Sequence, residues 1–190
     1  MAFILASASP RRQELLQQIG CDFRIVVSSF AEDNNLALPP NQLAVFHAKA
    51  KALDIANQQK TGDIVIGADT IVVNQGRVYG KPTDLSDGRR MLTELSGHEH
   101  QVITGVAVVV NGRAWTDSAV TKVTFRQLTD DEISWYLSTG EWVDKAGAYA
   151  IQGRGALLVE AISGCYANVV GLPLTTLDKL TRCAVGVGLV

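Results

Sequence analysis

Short apolar runs and helical apolar stripes take turns along this chain. Phe3 to Ala6 predicts a buried strand, and Ser9 followed by Pro10 predicts a helix N-cap and first helical position. Leu15, Leu16 and Ile19 then form one apolar face, and Gly20 is the stop. Phe23 to Ser28 predicts a second strand. Pro39-Pro40 announces a long helix in which Leu43, Phe46, Ala50 and Leu53 recur on one side. Ile64 to Val73 is a β-branched run closed by the turn residues Asn74-Gln75-Gly76, and a helix from about Leu85 to Leu95 ends at Gly97.

Val102 to Val110 and Ala114 to Phe125 flank Asn111-Gly112, which predicts a tight hairpin. Thr129 with Glu132 has capping-box spacing before Ile133, Tyr136 and Leu137, so a short helix starts there. Leu157 to Ile162 predicts a late strand and Leu172 to Cys183 a closing helix. Crossovers together with a hairpin imply an α/β class: a mixed twisted sheet flanked by helices. At 190 residues a single domain over 1–190 is expected.

Composition narrows this further. Hydrophobic residues make up 47% and charged residues 19%, which is globular rather than disordered. The first twelve residues carry their positive charge after the apolar run, the reverse of a secretory signal, and no apolar run approaches the roughly 18 residues of a membrane span. A cytoplasmic location and no membrane partner are expected. Cys21, Cys165 and Cys183 are odd in number and lack CxxC spacing, so they are taken as packing residues. A net charge of -2 with scattered basic residues argues against a nucleic-acid partner and leaves a small anion open.

Ser7-Ala8-Ser9-Pro10-Arg11-Arg12 brings two hydroxyls, a helix start and two guanidinium groups together. Free N–H groups at a helix N-terminus attract phosphate, and arginine adds a bidentate fork. A plain capped helix with solvated arginines is the alternative. Ile66-Gly67-Ala68-Asp69-Thr70 places a carboxylate in an apolar strand near the end where open α/β sheets keep ligands. Such a carboxylate costs free energy unless it meets a metal, a cation or a donor. Glu32 and Asp33 could add a metal ligand or be an ordinary acidic loop. Gly80-Lys81-Pro82 presents an ammonium group on a turn, and Lys49 lies among alternating lysines on the long helix, where solvation is the usual fate of lysine. His98 and His100, two apart, could chelate a metal or simply begin a strand. Asp144 to Gly155, rich in glycine with a charged start, reads as a loop and short strand that let backbone approach a ligand, but no helix-forming run follows, so a dinucleotide fingerprint is disfavoured.

Together, Leu5 to Arg12, Ile66 to Thr70, Gly80 to Pro82, Leu95 to Gly97, Thr104 to Val106, Asp144 to Tyr149, Ile151 to Gly153 and Val169 to Pro173 resemble the Maf (septum formation) family of nucleotide pyrophosphatases, in order along the chain. The resemblance implies a nucleotide cleft, hydrolysis between the α- and β-phosphates, and a divalent cation, Mg²⁺ or Mn²⁺. The loop from Asp144 to Gly153 looks like the branch acting on dTTP and UTP. Carried over, Asp69 would be the proton acceptor and a metal ligand, Glu32 a second metal ligand, and Ser7, Arg11, Arg12 and Lys81 the phosphate clamp, with Lys81 also catalytic. Lys49 would contact substrate, and Arg12, Thr70 and Gln152 would choose the base. Ala31 stands where an acidic residue is common, and Cys165-Tyr166-Ala167 interrupts a stretch more often written Ser-Tyr-Tyr. A homodimer stays open as the assembly. Two rivals are a nucleotide-binding regulator of septum formation acting through a protein partner, and a nucleotidyltransferase, for which no acceptor site is visible.

Overall fold

The computed structural model describes residues 2–190. It contains, in chain order, β1 (Phe3–Leu5), α1 (Pro10–Gln18), β2 (Phe23–Ile25), α2 (Pro40–Ala56), β3 (Ile64–Asn74), β4 (Arg77–Tyr79), α3 (Leu85–Leu95), β5 (Glu99–Val110), β6 (Arg113–Phe125), α4 (Asp130–Ser138), β7 (Val159–Ser163), α5 (Tyr166–Val170) and α6 (Leu174–Val185). Short 3-10 turns cover Ala146–Ala148 and Gly153–Leu158.

The strands form one seven-stranded sheet in the order β2-β1-β3-β5-β6-β7, with β4 paired beside β3. β1 lies parallel to β2 and to β3, whereas β3–β4 and β6–β7 are antiparallel, so the sheet is mixed as expected. Asn111 and Gly112 both take positive φ, 49° and 75°, the geometry of a tight turn whose twist matches its flanking strands. At α4, Thr129 accepts from the Glu132 N–H while the Glu132 carboxylate accepts from the Thr129 N–H, completing the capping box. Ser9 caps α1 by position without a side-chain bond; instead the Ser7 hydroxyl accepts from the Ser9 N–H.

The chain divides into two compact units. The first comprises Met1–Thr70, Thr104–Ala119 and Gly171–Val190, the second Ile71–Ile103 and Val120–Val170. In the first, small residues of α2, Ala48 and Ala52, pack with Ile55 on Ile4, Val65, Ala107 and Val109 of β1, β3 and β5. The fit is backbone-close: a Cβ on Gly67 would overlap the Ala48 carbonyl, and one on Gly105 would overlap the Ala44 carbonyl. That packing fixes α2 against the strand carrying Asp69. In the second unit, Leu92 and Leu95 of α3 and Ile133, Tyr136 and Leu137 of α4 bury Val72, Val102, Val123 and Phe125. Of the three cysteines Cys21 is buried, but Cys183 is exposed near the end of α6, so it does not serve packing as expected. No helix among the described residues is long and apolar enough to cross a membrane.

Candidate active site

Asp69 lies on β3 in the first unit and is 4% exposed. Two side chains of α2 meet it. The Lys51 ammonium donates to Asp69 Oδ1 at 2.7 Å, and His47 Nδ1 lies 3.2 Å from Oδ2. Lys51 also bonds Glu32, so one ammonium joins two carboxylates. His47 and Lys51 are four residues apart and therefore share a face of α2, while Lys49, between them, points to solvent.

His47 is fully buried. Its Nε2 lies 3.2 Å from the Asp33 carbonyl, tying α2 to the loop that carries Glu32, and Phe30 and Phe46 close around the ring. Both ring nitrogens face oxygen acceptors, an arrangement that only the doubly protonated ring satisfies in full. The hydrogen bond to Asp69 accordingly raises the His47 pKa, with burial opposing it. Burial works against ionisation of Asp69, but the bond from His47 and the charge of Lys51 outweigh it and hold the carboxyl well below the ordinary range.

Arg12, on the first turn of α1, is tied by three of its nitrogens. Nε donates to the Gly171 carbonyl at 2.8 Å, Nη1 to Ser7 Oγ at 3.1 Å and Nη2 to Thr70 Oγ1 at 3.1 Å. Burial lowers its pKa and the negative charges of Asp69 and Glu32 raise it again. Thr70 Oγ1 lies 3.0 Å from Thr104 Oγ1 on β5, which continues the polar chain inward. Arg11 is half-buried beside Arg12 on α1. The first unit thus holds two hydrogen-bonded groups, Ser7, Arg12, Thr70 and Thr104 in one and Glu32, Lys51, Asp69 and His47 in the other, coupled through the charge of Arg12 on Asp69 and Glu32; His47 and Lys51 were not singled out in the sequence.

The chain matches the family of Maf-like proteins over residues 2–183. It belongs to the Maf family. Curated Maf relatives named dTTP/UTP pyrophosphatase include those of Moorella thermoacetica, 52% identical over 179 residues, and Gloeobacter violaceus, 51% identical over 177 residues. That of Pyrococcus furiosus is 49% identical over 179 residues. These alignments cover 93% of this chain each time, and 92%, 93% and 92% of those three proteins. Among solved structures, a HAM1 protein from Coxiella burnetii gives a TM-score of 0.47 at 14% identity, over 66% of this chain and 73% of that one.

The other Maf-derived candidates lie in the second unit. Lys81 is exposed on the turn after β4, and Gln152 is half-buried just before a 3-10 turn. His98 and His100 part company: His98 is exposed with Nδ1 2.7 Å from the Ser96 carbonyl, whereas His100 is buried with Nε2 2.8 Å from the Tyr149 hydroxyl. Among the described residues no three His, Cys, Asp or Glu side chains gather as a metal cage.

Proposed function

We propose that this chain hydrolyses dTTP and UTP to the nucleoside monophosphate and pyrophosphate. The observation that carries the reading is Asp69: a buried carboxylate kept ionised by Lys51 and His47, and felt through its charge by an arginine anchored at a helix start. Binding a polyanion gains nothing from a buried negative charge unless a metal lies between, so Asp69 is given a chemical task, positioning or deprotonating the attacking water. Arg12, already fixed by three bonds, offers its charge to phosphate without further loss of side-chain freedom, and Ser7 and Arg11 flank it at the start of α1. Lys81 is proposed for the phosphates and Thr70 and Gln152 for the base, while the substrate contact expected of Lys49 rests on the resemblance alone, since Lys49 points to solvent. The single-domain reading of 1–190 is supported by the family match, which runs through both units.

The residues present also suit a divalent cation. Glu32 and Asp69 already converge on one positive group, the Lys51 ammonium, and carboxylate oxygens are the donors that Mg²⁺ and Mn²⁺ prefer. When bound, such an ion offsets phosphate charge that the visible cations leave uncompensated. The test is release of pyrophosphate and monophosphate from a panel of triphosphates, with Mg²⁺ and with EDTA. We expect dTTP and UTP to be turned over only with the metal. Orthophosphate as the first product would overturn the reading, and full turnover in chelator would overturn the metal.

A further inference from the structure

Gln152 sits between two clamps that have no place in the reading above. On one side the Ala150 N–H donates to the Tyr136 hydroxyl at 3.2 Å, and on the other the Arg154 N–H donates to Glu141 Oε2 at 2.9 Å. The two anchored peptides stand two residues before and two residues after Gln152. The Gln152 side chain does not cap the 3-10 turn that follows it. Its amide is thereby left for another partner while its backbone is held.

The anchors come from the last turn of α4 and the turn that follows it. Tyr136 is fully buried in the core of the second unit. Thr139 donates from its hydroxyl to the Tyr136 carbonyl at 2.6 Å and accepts from the Glu141 N–H at 3.1 Å, so the residue carrying the second anchor is itself fixed to the helix end. The glycines match. Gly153 has φ of 64°, and a Cβ there would come within 2.9 Å of Glu141 Oε2; a Cβ on Gly155 would overlap the Ala150 carbonyl. A carboxylate that takes a backbone N–H is a strong, directional anchor on a segment with little regular structure of its own.

We propose that Glu141 and Tyr136 are positioning residues for base selection, fixing the Gln152 backbone so that its side chain starts from a set point and brings its amide donor and acceptor to one place on the base edge. This rests on the reading that Gln152 meets the base. A backbone held in register fixes where along the base edge the amide arrives, and an amide displaced from that place loses the hydrogen bond that separates a matched edge from a mismatched one.

The experiment is steady-state kinetics on dTTP, UTP and CTP for the wild type and for Glu141→Ala, Glu141→Gln, Tyr136→Phe and Gln152→Ala. For Glu141→Ala we expect the preference for dTTP over CTP to fall by about 10-fold through KM, because one discriminating hydrogen bond is loosened. kcat should stay within about threefold, since the phosphate end is untouched. Glu141→Gln should recover the preference, its carbonyl oxygen still accepting from Arg154 N–H. Tyr136→Phe keeps the core ring and should lose preference as Glu141→Ala does, so it carries the test if Glu141→Ala fails to fold. Preference retained in both Glu141→Ala and Tyr136→Phe, with loss in Gln152→Ala, overturns the positioning role and leaves Gln152 as the base reader. Unchanged preference in Gln152→Ala overturns both. A fall in kcat shared equally by all three nucleotides in Glu141→Ala would mark a structural role and also overturn the proposal.

Discussion

At the scale of single residues, the site is organised around what Asp69 costs to bury and what it gains from Lys51 and His47. Asp69→Asn keeps the volume and removes both the base and the negative charge, leaving Lys51 and His47 facing a neutral amide. We expect the variant to fold and bind nucleotide while turnover falls about 10²–10⁴-fold, the range for loss of a general base. Equilibrium binding of dTTP beside kcat checks this, and near wild-type turnover would remove Asp69 from the chemistry. The sequence made Asp69 and Arg12 visible because each breaks a local pattern: a carboxylate inside a β-branched run, and guanidinium groups just after a strand. His47 and Lys51 stayed hidden because the stretch His47-Ala-Lys-Ala-Lys51 reads as polar decoration on a helix. Choosing between Lys49 and Lys51 requires the helix phase, which Ala44, Ala48 and Ile55 set and which places Lys51 close to the buried face. Pairing His47 with Asp69 needs a contact across 22 residues, and no spacing rule within one element reaches that far.

At the scale of elements, the sheet-facing side of α2 explains why two glycines stand in otherwise β-branched strands. Gly105 of β5 has no side chain because the backbone of α2 at Ala44 and Val45 occupies that space, and a methyl group there must push helix and strand apart. Gly105→Ala should therefore lower stability by about 3 kcal/mol as an overpacking change. In a domain of this size that is a Tm drop of roughly 6–12 °C. Gly112→Ala is the comparison: its added Cβ meets nothing within 4 Å but sits at φ of 75°, so it should cost about 1 kcal/mol of backbone strain. Thermal unfolding of both variants decides the matter, and an equal Tm shift would mean that close packing of α2 is not what the glycine serves. Long elements with strong patterns were legible to within a residue or two, as for β3, β6, α3 and the hairpin at Asn111-Gly112. Four short pieces were not, and the short strand expected within Asp144 to Gly155 is absent, two 3-10 turns at Ala146–Ala148 and Gly153–Leu158 taking its place. β4 and α5 are too brief for any period to register, and the 3-10 turn Ala146–Ala148 depends on Gly147 at φ of 69° packed on Val72, a tertiary contact.

At the scale of the whole molecule, the class of fold followed from the alternation of elements, but the strand order did not, because a period reports which face of an element is buried and not which strand lies beside it. What the assembled core adds is a pair of buried histidines with opposite responses to pH. Burial holds His100 neutral and lowers its pKa from 6.5 to about 4, with the Tyr149 hydroxyl on Nε2 and the rings of Phe125 and Tyr149 packed edge-on. Because the folded pKa is depressed, the unfolded chain binds the proton first. The stabilisation from His100 is complete above pH 6.5 and is lost as pH falls towards 4. His47 has a raised pKa and the reverse sign, its contribution being present below the unfolded pKa and lost as pH rises, so the wild-type profile alone mixes the two. His100→Gln isolates the first: it retains a polar partner for Tyr149 and cannot titrate. Between pH 7.5 and pH 5 the wild type should lose about 2 kcal/mol more than His100→Gln, since the free histidine is almost fully protonated at pH 5 and the buried one is not. Carboxylates contribute little to that interval because their unfolded pKa values lie near about 4. Urea unfolding of both proteins at the two pH values checks the difference, and parallel losses in the two would show that His100 takes up its proton without leaving the core.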